Sequence, residues 1–201
     1  MKKLIMVSIL SLSLLIPSAA FGAGTYKVVS GDTLWKIAVK NQVGISELIE
    51  ANPQIPNINL IYVGQSINIP TIQSQSFEQE VVDLVNQERA KAGLKALSSD
   101  WELARVARFK SEDMRDNKYF SHNSPTYGTP FQMMKSFGIN YMSAGENIAA
   151  GQATPEAVVK AWMNSSGHKA NILSSSFTHI GVGYAKGGSY GHYWTQQFIS
   201  K

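Results

Sequence analysis

His179-Ile180-Gly181-Val182-Gly183-Tyr184-Ala185, then Gly187-Gly188, then Tyr190-Gly191-His192-Tyr193-Trp194-Thr195-Gln196-Gln197-Phe198-Ile199 reads as two alternating strands about a glycine turn. That pattern predicts a β-hairpin. Period two puts His179, Gly181 and Gly183 on one face of the first strand. It puts His192, Trp194, Gln196 and Phe198 together on one face of the second. Two glycines on one strand face imply that a helix or another backbone comes close there.

Reading toward the N-terminus from this hairpin, the apolar period becomes helical. Thr154-Pro155 and Thr129-Pro130 each supply an N-cap followed by proline at the first helical position. Val158, Ala161 and Trp162 stripe the helix that follows Thr154. A helix from Asp100 to about Asn117 carries Leu103, Ala107 and Met114 on one side, and one from Phe77 carries Val81, Leu84 and Val85 until Gly93 closes it. Helices flanking an antiparallel sheet predict an α+β layered domain over residues 77–201.

Residues 24–70 form a second unit. Tyr26-Lys27-Val28-Val29 is strand-like, Asp32 or Thr33 caps a helix bearing Leu34, Ile37 and Ala38, and a second helix fits Ser46 to Asn52 before Pro53. Ser66-Ile67-Asn68-Ile69-Pro70 closes the unit as a strand, giving strand-helix-helix-strand. Residues 71–76, Thr-Ile-Gln-Ser-Gln-Ser, read as a short linker.

The first 23 residues carry Lys2-Lys3, a run of 13 apolar or small residues from Leu4 to Ile16, then Pro17 and Ser18-Ala19-Ala20. This is the pattern of a signal peptide cleaved between Ala20 and Ala23, and the run is well short of the roughly 20 residues of a membrane-spanning helix. No integral membrane segment is expected after cleavage. The chain has 18 basic and 14 acidic side chains, and the leader takes two lysines and no acid with it. The remaining excess of two argues against nucleic acid as a partner despite a pI near 9.2. With no cysteine, disulfides and thiol nucleophiles are excluded.

All four histidines fall in the last 80 residues, near one carboxylate in Gly145-Glu146-Asn147. Imidazole and carboxylate together serve either proton transfer or metal binding. His168 either reaches a cleft or ties a helix end to the next loop, and His179 reads as structural.

Two family resemblances organise these residues. Tyr-Lys-Val-Val-Ser-Gly-Asp-Thr-Leu-Trp-Lys-Ile-Ala from Tyr26, with Leu48, Asn52 and the ending from Gly64 to Pro70, closely resembles the LysM domain. That resemblance implies binding of peptidoglycan or another N-acetylglucosamine-containing glycan through Gly31, Asp32, Thr33 and Leu34 and through Asn59, Leu60, Ile61 and Tyr62. The polar loop offers donors and oxygens to acetamido groups, and Leu60-Ile61-Tyr62 offers a face to a sugar ring. Equally, Asp32-Thr33 can cap the helix and Leu60-Ile61 can fill the small core.

The strings Leu84 to Arg89, Phe120-Ser121-His122, Gly145 to Ile148, Trp162 to Leu173 and Gly191 to Gln196 resemble the cysteine-free bacterial branch of the CAP (SCP-like) superfamily. The resemblance implies an α-β-α sandwich with a cleft of two histidines and two glutamates. By position His122, Glu146 and His192 match three of these, while Ser165 stands where many members carry the second Glu. His122 and His192 are thereby candidate ligands for a divalent cation such as zinc, with Glu146 completing the inventory of an open site.

The expected function is a secreted protein of the cell wall or spore envelope, anchored by LysM and presenting a cleft for a ligand the sequence does not identify. The alternative is a metal-assisted or Glu146-based hydrolase. Against it stand the lack of a His-Glu-x-x-His pair, of a second cleft carboxylate and of a Gly-x-Ser-x-Gly turn.

Overall fold

Two glycines set the depth of the C-terminal domain. In a computed structural model describing residues 24–71 and 74–201, a methyl built on Gly181 would lie 2.4 Å from the Ala104 nitrogen, and one on Gly183 2.0 Å from the Arg108 nitrogen. The predicted close approach is therefore helix α4 (Trp101–Asp116) lying directly on strand β5 (His179–Lys186). The leader (1–23) and residues 72–73 of the expected linker lie outside the described residues.

The N-terminal module is the expected strand-helix-helix-strand unit. β1 (Gly24–Lys27) pairs antiparallel with β2 (Ser66–Ile69), enclosing α1 (Leu34–Lys40) and α2 (Ile45–Glu50). Val28, Leu34, Ile37, Leu48 and Ile67 form its core. Thr33 is the cap of α1, its hydroxyl accepting from the Lys36 N–H at 3.1 Å. The second helix starts at Ile45 with Gly44 at its cap and ends at Glu50, earlier at both ends than predicted. Asn52 is needed elsewhere: it is buried, and its side chain bridges the Leu48 carbonyl and both backbone groups of Asn68.

The C-terminal domain is an α-β-α sandwich. Its sheet runs β3 (Ser98–Ser99), β5, β6 (His192–Ser200), β4 (Ser143–Ala150), antiparallel except that β3 is parallel to β5. On one face α4 and α5 (Pro130–Ser136) pack Leu103, Val106, Met133 and Met134 against Ile199, while Met114 packs against Ile148 and Tyr193. On the other, α3 (Gln75–Lys91), α6 (Pro155–Met163) and α7 (Ser166–Ile172) cover Ile180, Val182, Trp194 and Phe198. Helix α3 begins at Gln75, so the last residues assigned to the linker are helical. β4 escaped prediction because both its faces are buried, which erases the alternation a half-exposed strand shows.

Beyond β3, strand β5 is an unpaired edge, and a charge closes it. Glu78 on α3 accepts from the Tyr184 N–H at 3.0 Å and is paired with Arg108 of α4 at 2.5 Å. The pair clamps the two helical layers across the sheet. No helix among the described residues is long and apolar enough to cross a membrane.

Gly183→Ala must displace α4 or β5, an overpacking cost of about 1–3 kcal/mol or more, seen as a lower urea midpoint. Gly167 in α7 has open space around it. Gly167→Ala should leave that midpoint unchanged or raise it, by up to about 1 kcal/mol in stability.

Candidate functional site

The loop after α4 is held from below by a buried polar network. Asp113 accepts from Ser124 Oγ at 2.6 Å, Thr126 Oγ1 at 2.7 Å and Asn117 Nδ2 at 2.7 Å, and from the Tyr119 hydroxyl. Burial pushes the Asp113 carboxyl up, but these donors outweigh it and hold it below the usual range. Lys110, fully buried, donates to Tyr119 Oη at 2.9 Å and to the His122 carbonyl at 2.8 Å. Burial lowers its ammonium, against the pull of Glu146 and Asp113. Burial and then Asp113 push the Tyr119 hydroxyl up. The backbone at His122 is thus fixed to α4 rather than free to drift.

Above this network the His122 ring meets β4. Its Nδ1 lies 2.8 Å from Glu146 Oε1, and Gln197 Nε2 donates to Glu146 Oε2 at 3.0 Å. Both carboxylate oxygens are engaged, and the Glu146 side chain is only 2 % exposed while that of His122 is 50 % exposed. With Nδ1 turned to the carboxylate, Nε2 is the ring atom left to bind. His122 faces an open groove of about 580 Å³ with Phe120, Ile148, Ala150, Trp162, Ser165 and His168 among its walls. Burial, then the nearby His122 ring, lower the His168 imidazole below its ordinary 6.5. His168 therefore belongs to the groove, the first of the two readings its sequence left open.

His192 does not join this group. Glu146 pairs across the ladder with Gln197, so strand alternation puts Glu146 on the face of Tyr193, Thr195 and Gln197, and His192 on the opposite face. There its Nδ1 lies 2.7 Å from the Tyr184 hydroxyl, the two rings stacked. The expected triad thus reduces to His122 and Glu146, and Tyr193 is the neighbour of His192 that lies on the Glu146 face. The cation pair His122 and His192 is split across the sheet as well. Among the described residues no group of three His, Cys, Asp or Glu is placed to hold a metal ion, and the engaged Glu146 oxygens do not fit a His-His-Glu zinc set. His179 lies at the start of β5, its Nδ1 2.7 Å from Thr178 Oγ1.

In the N-terminal module the predicted loops are joined. Val28 donates to the Gln65 carbonyl at 2.9 Å and Gly64 to the Val28 carbonyl at 2.8 Å. Leu60 and Tyr62 are exposed, as are Val29 and Val63, which sequence reading passed over. Asn59 is also exposed, and Gly31 adopts the left-handed region that its turn requires. Asp32 accepts from the Val29 N–H and the Tyr26 hydroxyl, both at 2.9 Å, and so shapes its own loop. Leu34 faces inward, and Ile61 packs on the core edge. Of the eight residues implied for glycan contact, these last two serve packing.

Comparison with known proteins agrees with this geometry. Residues 82–198 match the family model described as CAP, the cysteine-rich secretory protein family, and residues 26–70 match the LysM domain. The chain belongs to the cysteine-rich secretory protein family. It does so without a cysteine. An uncharacterized Bacillus subtilis protein, YkwD, is 64 % identical over 126 residues, covering 63 % of this chain and 48 % of YkwD. The crystal structure of an extracellular protein containing a SCP domain from Bacillus anthracis superposes with TM-score 0.57 at 36 % identity, covering 69 % of this chain and 47 % of that one. The chain thus spans about half the length of these relatives. An endolysin of Bacillus phage PZA is 54 % identical over 48 residues, 24 % of this chain and 19 % of the phage protein.

Because folded His168 resists protonation, acid should weaken the CAP domain: the unfolded chain takes up a proton below about 6.5 that the folded one refuses until lower pH. His122→Ala should raise the His168 midpoint in an NMR titration of the ring protons. An unmoved midpoint would show that the rings do not sense one another.

Proposed function

We propose that this is an exported protein held on the peptidoglycan of a cell wall or spore envelope by its LysM module, with a CAP groove that binds a ligand rather than cutting one. The observation that carries the anchor is the pair of tied loops. On a small module they present Val29 at 53 %, Leu60 at 50 %, Tyr62 at 65 % and Val63 at 72 % exposure. Apolar side chains held out together on two joined loops mark a binding surface. The adjacent turn offers backbone donors to acetamido groups, and the module matches LysM over its whole length.

For the groove, binding is favoured by the state of Glu146. A carboxylate that holds His122 and Gln197 and is almost wholly buried orients an imidazole and is turned away from the water of the groove. The two modules also touch. Arg105 of α4 bonds Glu47 of α2 at 3.0 Å and lies over the Phe109 ring at 4.8 Å.

Purified protein without its leader should co-sediment with peptidoglycan. Leu60→Ala combined with Tyr62→Ala should weaken this about tenfold or more, the equivalent of about 1.4 kcal/mol; unchanged pelleting would refute the anchor. Labelled peptidoglycan should release no fragments. Release by wild type that is lost in both His122→Ala and Glu146→Ala would establish the hydrolase instead.

A further inference from the structure

Strand β4 is an edge strand, and its outer side forms one wall of the His122 groove. The Gly151 N–H bonds the His192 carbonyl at 2.9 Å, which fixes the phase of the β4–β6 ladder. Odd-numbered residues of β4 turn their backbone groups toward β6, and even-numbered residues turn theirs outward. Two outward carbonyls are closed by side chains: that of Glu146 accepts from Asn171 Nδ2 and that of Ile148 from Trp162 Nε1, both at 3.3 Å. The Ile148 N–H and both groups of Ala150 have no such partner among the described residues. Ile148, Ala149 and Ala150 line the groove.

Around this open stretch the groove supplies further polar atoms. Gln152 Oε1, in the same groove, is buried without a hydrogen-bond partner. With Nδ1 held by Glu146, Nε2 is the His122 ring nitrogen left to meet a ligand. The open edge thus presents two donors, the Ile148 and Ala150 N–H, and one acceptor, the Ala150 carbonyl, and an extended peptide backbone complements both kinds. The walls nearest the edge, Ala149, Ala150 and Ala161, carry only methyl side chains and so leave the backbone of the edge accessible.

We propose that the groove takes a short extended peptide as an added strand on β4, and that this is the peptide moiety of peptidoglycan. The choice of occupant rests on the wall-binding reading above: where LysM holds the glycan, peptides branching from that polymer are the extended chains at hand. One ligand residue exchanges two hydrogen bonds with Ala150, and the next accessible carbonyl accepts from Ile148. Gln152 Oε1 accepts from a neighbouring ligand N–H, and His122 Nε2 meets the ligand beside it.

The test is an amide NMR titration of the full mature chain with a soluble GlcNAc-muramyl tetrapeptide and, separately, with a peptide-free GlcNAc oligomer. The Ile148 and Ala150 amides and the Gln152 side chain should move with the first only, whereas Val29 to Thr33 and Leu60 to Gly64 should move with both. Ala150→Pro removes an outward N–H and no ladder bond, which an edge strand tolerates. It should weaken the groove response at least tenfold and leave the LysM response unchanged. If that variant loses its fold, Ala161→Phe narrows the same groove from α6 and should have the same effect. Groove signals that follow the peptide-free oligomer, stay still while the LysM signals move, or respond more strongly to an all-L peptide from a protein would overturn the proposal. LysM signals that fail while the groove responds would instead overturn the anchor.

Discussion

The seating of α4 on Gly181 and Gly183 is the contact from which the groove is built. With no side chain between helix and strand, α4 comes close enough for the Ser111 hydroxyl to reach both the Gly183 carbonyl, at 3.0 Å, and Thr195 Oγ1, at 2.9 Å. That depth carries Lys110 and Asp113 beneath the following loop. A fully buried ammonium is costly unless its donors are used. Lys110 uses two of them on Tyr119 and His122, so the loop that presents the imidazole is ordered by the requirement to satisfy the lysine.

The sheet then decides which polar groups can cooperate. Glu146 and Gln197 share the α4 face and together engage the carboxylate, whereas Asn147 and Gln196 share the other face. There Asn147 donates to Gln196 Oε1 at 2.9 Å and accepts from Asn171 at 2.8 Å. Asn171 and the His168 carbonyl lie on α7, so this second network fixes the helix that brings His168 to the groove. A carboxylate–amide pair on one face of β4 and β6 and an amide–amide pair on the other thus position the two imidazoles independently. Strand period separates His192 from the groove just as it places Glu146 beside it.

Much of this was legible in the sequence. The hairpin, the glycine-lined close approach, the two Thr-Pro helix starts and the LysM order rest on local chemistry, and each appears where its residues predict it. Three elements were not legible: a strand buried on both faces shows no alternation, β3 is two residues long, and α7 buries Ile172 alone, so no apolar stripe marks it. At the site, His122 and Glu146 were readable as a pair. The face of His192 was not, because motif position says nothing of ladder register, and one residue of register reverses a strand's faces. His168 left two readings open, since Gly-His-Lys-Ala-Asn fits a helix end as well as a cleft wall. Only α7 packing beside β4 separates them.

The chemistry left to the groove follows from where Glu146 spends its oxygens. A carboxylate that holds Nδ1 orients the imidazole and leaves Nε2 turned to the groove. For acyl transfer such a pair still needs a nucleophile in reach and donors at the developing oxyanion. For glycoside cleavage it needs a second carboxylate on the other side of the bond. Ser165, where that second carboxylate would stand by resemblance, lines the groove without a charge. What remains is an open strand edge that offers backbone donors and an acceptor side by side, and the ligand that complements such an edge is another extended backbone.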